Sequence, residues 1–232
     1  MVARITAWLG AVGGQGVDET PRNPRVARRS AGRGSRKQAV RNDSRPEVVG
    51  LGEFWHGTYD RRVDLHLVTG RHLTVALRAA TTADVEAVAA IETRARRTLQ
   101  PDAIGRAIGS PDRLVLVAEH LGQDGATTIV GWAQTYHHTT LVDAAPAGHY
   151  LGGLTVDPDW RRQGIATTLT DARMAWISQR AEQVYYVVNA SNDASINLHR
   201  HWSFVEVARA PRLTGILFAG GVGLLMRASL GP

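Results

Sequence analysis

From residue 73 onward the apolar positions fall into short strand-like runs separated by stripes of helical spacing. Residues 73–80, LTVALRAA, read as a strand, and 81–99, TTADVEAVAAIETRARRTL, read as a helix. Thr81 or Thr82 can cap that helix, Asp84 and Glu86 suit its positive end, and Val88, Ile91, Ala95 and Leu99 form one stripe. A short helix is expected at 102–108. RLVLVAEH (113–120) and TTIVGWAQTYHH (127–138) read as strands, and the Asp124-Gly125 pair between them favours a hairpin. HYLGGLTV (149–156) is a further strand. GIATTLTDARMAWISQRA (164–181) is a helix with Ile165, Leu169, Ala172 and Trp176 on one face. VYYVVNA (184–190) reads as a buried strand, in which Tyr185 and Tyr186 pack, and DASINLHRHW (193–202) as a short helix. FVEVARA (204–210) and ILFAGGVGLLMRA (216–228) are the last strands. No helix follows the glycines of the final run, so they suit a bulge or a close backbone contact better than a phosphate loop.

The order β-α-α-β-β-β-α-β-α-β-β has several hairpins and one β-α-β crossover. It predicts an α/β domain over 73–232, with a mixed sheet and helices on both faces. Residues 14–50 are rich in Gly, Pro, Ser, Asn and Arg and lack apolar periodicity, so they read as disordered. Residues 51–72 show no clear element. The stretch 1–72 is thus expected to be a loosely attached extension, or the product of a start placed upstream of a true one near Val68 or Val75.

Charge sharpens this partition. The net +6 looks like a nucleic-acid signal until it is located: residues 1–72 hold 13 Lys/Arg and 7 Asp/Glu, whereas 73–232 hold 14 of each. Lys37 is the one lysine, a bias typical of GC-rich coding. With no cysteine, a disulfide framework, Cys-ligated zinc and a thiol nucleophile are excluded. No apolar run reaches the length of a membrane span, and the N-terminus lacks a signal-peptide cleavage site. The expected location is the cytoplasm.

The chemistry concentrates in LTVDPDWRRQGIATTL, residues 154–169. A strand ending at Val156 leads through Arg161, Arg162, Gln163 and Gly164 into a helix. Helix N-termini expose unpaired N–H groups and attract anions, and Gly164 lets a phosphate approach the amides of Ile165 and Ala166. Alone the string fits a surface turn, a phosphate cradle or a nucleic-acid patch. A second constellation follows in NDASINLHRHWSF, residues 192–204. Together the two resemble the GCN5-related N-acetyltransferase family, with its V-x-P-x-x-R-x-x-G-x-G/A signature and its downstream N-x-x-A-x-x-L-Y-x-x-x-G-F pattern. The resemblance spans about residues 74–229. It implies a GNAT-like acyl-CoA N-acyltransferase fold of six to seven strands and about four helices, with acetyl-CoA as co-substrate and no metal. It also implies that main-chain groups of Leu154 and Val156 meet the pantetheine arm, that Arg161 to Ala166 hold the pyrophosphate, and that Asn192 touches the cofactor.

Three positions depart from the pattern. His199 stands where the family has a tyrosine thought to protonate the departing thiolate; an imidazole could do the same, or could simply hydrogen-bond within its helix. Ser203 replaces a glycine before Phe204, where a positive φ is less comfortable. Ser195 replaces a small alanine. The expected reaction is direct transfer to a primary amine of a small molecule, such as an aminoglycoside or polyamine, or of a peptide. The strand 149–156 has no carboxylate, so His149 is the first candidate for the base, beside Asp143, His137 and His138; desolvation of the amine is the alternative. Adjacent strand residues such as His137 and His138 make a poor metal site. Rival readings are a protein that holds acetyl-CoA without turnover, and a nucleic-acid-associated protein using the basic tail. Nucleic acid and membrane are not expected partners of the domain, and a homodimer is left open.

Overall fold

The computed structural model describes residues 66–70 and 73–231, so the disorder and alternative start expected for the Arg-rich segment concern residues mostly outside that range. The described elements are β1 (His66–Gly70), β2 (Leu73–Ala79), α1 (Val85–Arg94), α2 (Pro101–Ala107), β3 (Val115–Leu121), β4 (Thr127–His138) and β5 (Gly148–Val156). They continue with α3 (Ile165–Ser178), β6 (Gln183–Asn189), α4 (Asp193–His199), β7 (Val205–Ala210), β8 (Arg212–Leu213), β9 (Ile216–Leu217) and β10 (Gly223–Ser229). Eight strands form one sheet in the order β1-β2-β3-β4-β5-β6-β10-β7, and β8 pairs with β9. This is one strand more than the count expected for the sheet. The addition is β1, which pairs antiparallel along β2 in a stretch where the sequence offered no clear element.

The helices cover both faces, because each face of the sheet is apolar. Val88, Ile91, Ile104 and Ala107 of α1 and α2 pack on Val115, Val117 and Trp132. Ile165, Leu169, Trp176 and Ile177 of α3 pack on the other face with Leu77, Leu116, Ala133 and Leu151. The start of α1 is fixed by charge: Arg78 donates to both oxygens of Asp84 at 2.7 Å and to Glu119 at 2.6 Å, while Asp84 accepts the Thr81 amide at 2.6 Å. The helix expected over 81–99 ends at Arg94. Arg96 turns to a φ of 55°, and the Arg97 amide returns to the Glu92 carbonyl at 2.8 Å, a left-handed C-terminal cap. The final strand is also shorter than expected: a turn at Ala219–Gly221 separates Ile216–Leu217 from β10. No described helix is long and apolar enough to cross a membrane.

Among the described strands only β5 and β6 run parallel, and they pair at just two positions, His149↔Val184 and Tyr150↔Tyr185. Beyond them the strands part. Gly223 explains the glycine-rich end of the sequence, since a Cβ there would overlap the Phe218 ring. Gly223→Ala should therefore destabilise the fold by about 1–3 kcal/mol in urea melts. Pairing it with Phe218→Leu should recover part of the loss.

Candidate active site

The segment 157–164 leads from β5 into α3, at the strand-to-helix turn expected from the sequence. Asp157, buried, accepts Arg94 Nε at 2.8 Å and the Asp159 amide at 3.2 Å, which pins the turn after β5 to α1. Arg162 takes a φ of 62° and Gly164 one of 84°, so two left-handed residues swing the chain into α3. Gly164 is needed for that backbone; a Cβ on it would meet nothing within 4 Å. The first helical bond runs from the Thr168 amide to the Gly164 carbonyl at 3.0 Å, which leaves the amides of Ile165, Ala166 and Thr167 without an intrahelical acceptor. Arg161, Arg162 and Gln163 are exposed beside them. Arg161 also donates from Nε to the Val156 carbonyl at 3.2 Å, and Arg97 donates to the Leu154 carbonyl at 3.1 Å, so both strand positions tied to pantetheine hold arginine donors. Asn192 caps α4, its side chain accepting the Ser195 amide at 3.1 Å.

His199 lies on α4, 6% exposed, stacked on Tyr186 with ring centroids 4.2 Å apart. Its Nδ1 donates to the Ser195 carbonyl at 2.8 Å, so the neutral ring carries its lone pair on Nε2, which is buried without a partner among the described residues. Burial first, then the nearby Arg173 charge, lower its pKa to about 4, against the Ser195 bond. At neutral pH the neutral ring keeps its one proton on Nδ1, toward Ser195, and its lone pair on Nε2. The Tyr186 hydroxyl beside it is also buried and unpartnered, and burial pushes it up to about 12. Ser203 keeps the left-handed turn of the family glycine, at φ 56° and ψ 32°. The local turn is therefore preserved at the expense of some strain, rather than altered.

His149 is 9% exposed on the α3 face, stacked on His137 at 4.5 Å and edge-on to Trp176 at 5.8 Å. Burial, then His137 and Arg180, lower its pKa. His138 lies on the opposite face, edge-on to Tyr136 and Tyr150, with a buried, unpartnered Nε2. Burial, then Arg113 and His137, hold its pKa below the usual value. Asp143 accepts the Gly215 amide at 2.8 Å and so ties the β4–β5 loop to the β8–β9 hairpin.

Several residues at this site escaped the sequence reading. The register of β4 against β5 slips between Ala133 and Thr135, leaving Gly152 and Gly153 without partners. A Cβ on Gly152 would crowd Tyr136 at 2.9 Å, and one on Gly153 would crowd Trp132 at 3.0 Å, so both glycines face the α1 side in a bulge. Two adjacent glycines inside a strand are its sequence signal. Trp132 donates to Glu92 Oε1 at 2.8 Å, and Glu92 is a buried carboxylate on α1. Arg173 lies fully buried on α3 under the bulge. Its signal was a charge at i+4 from Leu169 on an apolar stripe. Among the described residues no group of three or more His, Asp or Glu could hold a metal ion.

The depressed pKa of His199 is also a stability statement. The unfolded chain binds a proton near pH 6.5 and the folded chain only near 4, so stability is complete above pH 6.5 and is lost as pH falls toward 4. Urea melts should show a loss of up to about 3 kcal/mol across that window from this group. His199→Gln should flatten that part of the profile.

No curated protein sequence matches this chain. Its fold is similar to that of the ribosomal-protein-S18-alanine N-acetyltransferase from Escherichia coli, at 20% identity and TM-score 0.53, over 68% of this chain and 95% of that one. It is similar too to Arabidopsis thaliana NAA60 in complex with acetyl-CoA, at 17% identity and TM-score 0.54, over 67% and 99%. A ribosomal-protein-alanine N-acetyltransferase from Brucella melitensis aligns at 22% identity and TM-score 0.51, over 66% and 98%. Likeness at such identities speaks for the fold. The sequence model of the acetyltransferase (GNAT) family matches residues 83–204, more than half of the chain. The protein belongs to that family and is an acetyl-CoA-dependent N-acetyltransferase.

Proposed function

We propose that the protein transfers the acetyl group directly from acetyl-CoA to a primary amine of a small molecule or a peptide, with both substrates bound together. The observation that carries this reading is the parting of β5 from β6 beside three free helix amides. The gap suits a narrow pantetheine arm, and the amides of Ile165, Ala166 and Thr167 with exposed Arg161 and Arg162 suit a pyrophosphate. The orphaned Tyr186 hydroxyl and His199 Nε2 are polar atoms that a ligand in the gap would satisfy. Leu154, Val156, Gln163 and Asn192 complete the proposed cofactor contacts.

The acceptor must arrive as a free amine, because an ammonium has no lone pair; a lysine-like amine has a pKa of about 10.4. Its nitrogen forms the C–N bond as the C–S bond breaks, sulfur leaves with the electron pair, and one amine proton must go to a base. Between His149, the first candidate, and His138, the geometry favours His138. It shares a face with Gly152, Tyr136 and Tyr150, while His149 is packed under Trp176. A pKa below the usual value keeps His138 neutral at pH 7. The protonated Tyr186 hydroxyl is the better donor to the departing sulfur, since His199 Nε2 carries no proton. A cytoplasmic setting and the option of a homodimer go with this reading.

The absence of cysteine makes the assay clean, because a thiol reagent reads only released coenzyme A. An amine panel, with products weighed by mass spectrometry, should yield an acetylated acceptor; no product with any amine would sink the catalytic reading. Arg162→Glu with Gly164→Asp should abolish acetyl-CoA binding in calorimetry. His138→Gln should lower kcat/KM by about 10²–10³. In the unmodified protein the rate should fall with pH only below 6.5, as His138 takes up a proton, and His149→Gln should leave that acid limb in place.

A further inference from the structure

The aromatic side chains around His138 stand in one row across the sheet. By register Tyr136 of β4 faces Tyr150 of β5, Tyr150 faces Tyr185 of β6, and Tyr185 faces Arg227 of β10. The Tyr136 and Tyr150 rings stack at 5.3 Å, and the Tyr150 and Tyr185 rings at 5.2 Å. At the other end the row runs on past β4. The Leu114 amide donates to Thr135 Oγ1 at 2.9 Å, and the Thr135 amide to the Leu114 carbonyl at 2.8 Å. Pairing carried one residue further sets Arg113 opposite Tyr136, and opposite residues share a face. Burial raises the Tyr136 pKa to about 12, against Thr214 and the Arg113 charge; burial and then the Arg113 charge lower that of His138. Arg113 thus lies close to both.

Arg113 is half-buried and forms no ion pair among the described residues. Asp112, its neighbour in sequence, acts instead on His149, on the other face. Asp143, in the loop after His138, is engaged by the Gly215 amide at 2.8 Å and by Arg212 at 3.9 Å. Glu92, near the bulge, is held by Trp132 and Arg97. The row therefore has an arginine at each end, tyrosine rings between, and no carboxylate. Such a surface repels a polycation and favours an amine that carries an anionic group. Diagonal neighbours on paired strands are about 7–8 Å apart, so Arg113 and His138 flank a space that the two ends of one amino acid can bridge. We propose that the acceptor is a small amino acid, its carboxylate paired with Arg113, its amine at His138 and its side chain along Tyr136. The Arg113 charge also disfavours an ammonium there, so the acceptor loses its proton more readily. The inference rests on the acetyl transfer proposed above and narrows its acceptor.

Turnover of acetyl-CoA tests it, with products read by mass and each rate referred to the free-amine concentration. The panel holds the common amino acids other than cysteine, their carboxamides, short peptides, spermidine and kanamycin. At least one amino acid should exceed its own carboxamide in kcat/KM by about 10–100-fold, the worth of a hydrogen bond to a charged group. Arg113→Gln should bring that ratio to about one, chiefly by raising KM for the acid. Arg113→Lys should keep part of the ratio, and Arg113→Glu should turn it toward the carboxamide. A carboxamide used as well as its acid by the unmodified protein would overturn the proposal. So would a ratio preserved in Arg113→Gln, or acetylation of peptides or polycations alone. If no amine of any kind is acetylated, the transfer reading itself has failed.

Discussion

Backbone N–H and C=O groups in a buried sheet need partners, and the parting of β5 from β6 after two residue pairs withholds them. The opening comes where the chain is otherwise tightly packed, between two helical layers, so every unpaired group around it has to be met by something else. The Leu154 carbonyl is met by Arg97 from the turn after α1, the Val156 carbonyl by Arg161 from the turn after β5, and the Gly152 carbonyl by Arg173 from α3. Three arginines from three directions thus hold the edges of one gap. Amides at the start of α3 are left open, which is the condition for a site that recognises an anion by main chain.

The same arrangement divides the chemistry between the faces of the sheet. On the α3 side lie His149, Trp176, Arg173 and the Tyr186–His199 stack, all packed in apolar surroundings. The α1 side has Tyr136, His138 and Tyr150 around the bulge glycines. Because strand residues alternate, His138 and its neighbour His137 belong to different environments although adjacent in sequence. Their difference in surroundings is a property of the sheet, not of the His-His pair.

Elements with strong periodicity were legible. β4 was read to the residue, and α3 and α4 to within a few, because their stripes and flanking turns agree. The α3 entry was legible because the apolar run stops at Asp157-Pro158 and a helical stripe begins after Gly164. What the sequence hid was whatever depends on residues brought from afar. The end of α1 hangs on Arg97 meeting Glu92 and Leu154. The protonation of His199 depends on the depth of its burial and on Arg173, 26 positions away in sequence. β1 was missed because its apolar residues show no pattern until β2 is placed beside them. Arg173 stood in view as a charge on an apolar stripe, but the carbonyls it serves become orphans only once β4 and β5 are in register.

The strand order has a consequence for how the molecule comes together. β10 lies between β6 and β7, although β7 precedes it in the chain. β7 therefore has no seat in the sheet until β10 has arrived, and until then β6 is an open edge presenting Val184, Tyr186 and Val188. The assembly must hold that edge exposed while the intervening turn and the β8–β9 hairpin are laid down, a window in which pairing with another chain competes with completion of its own.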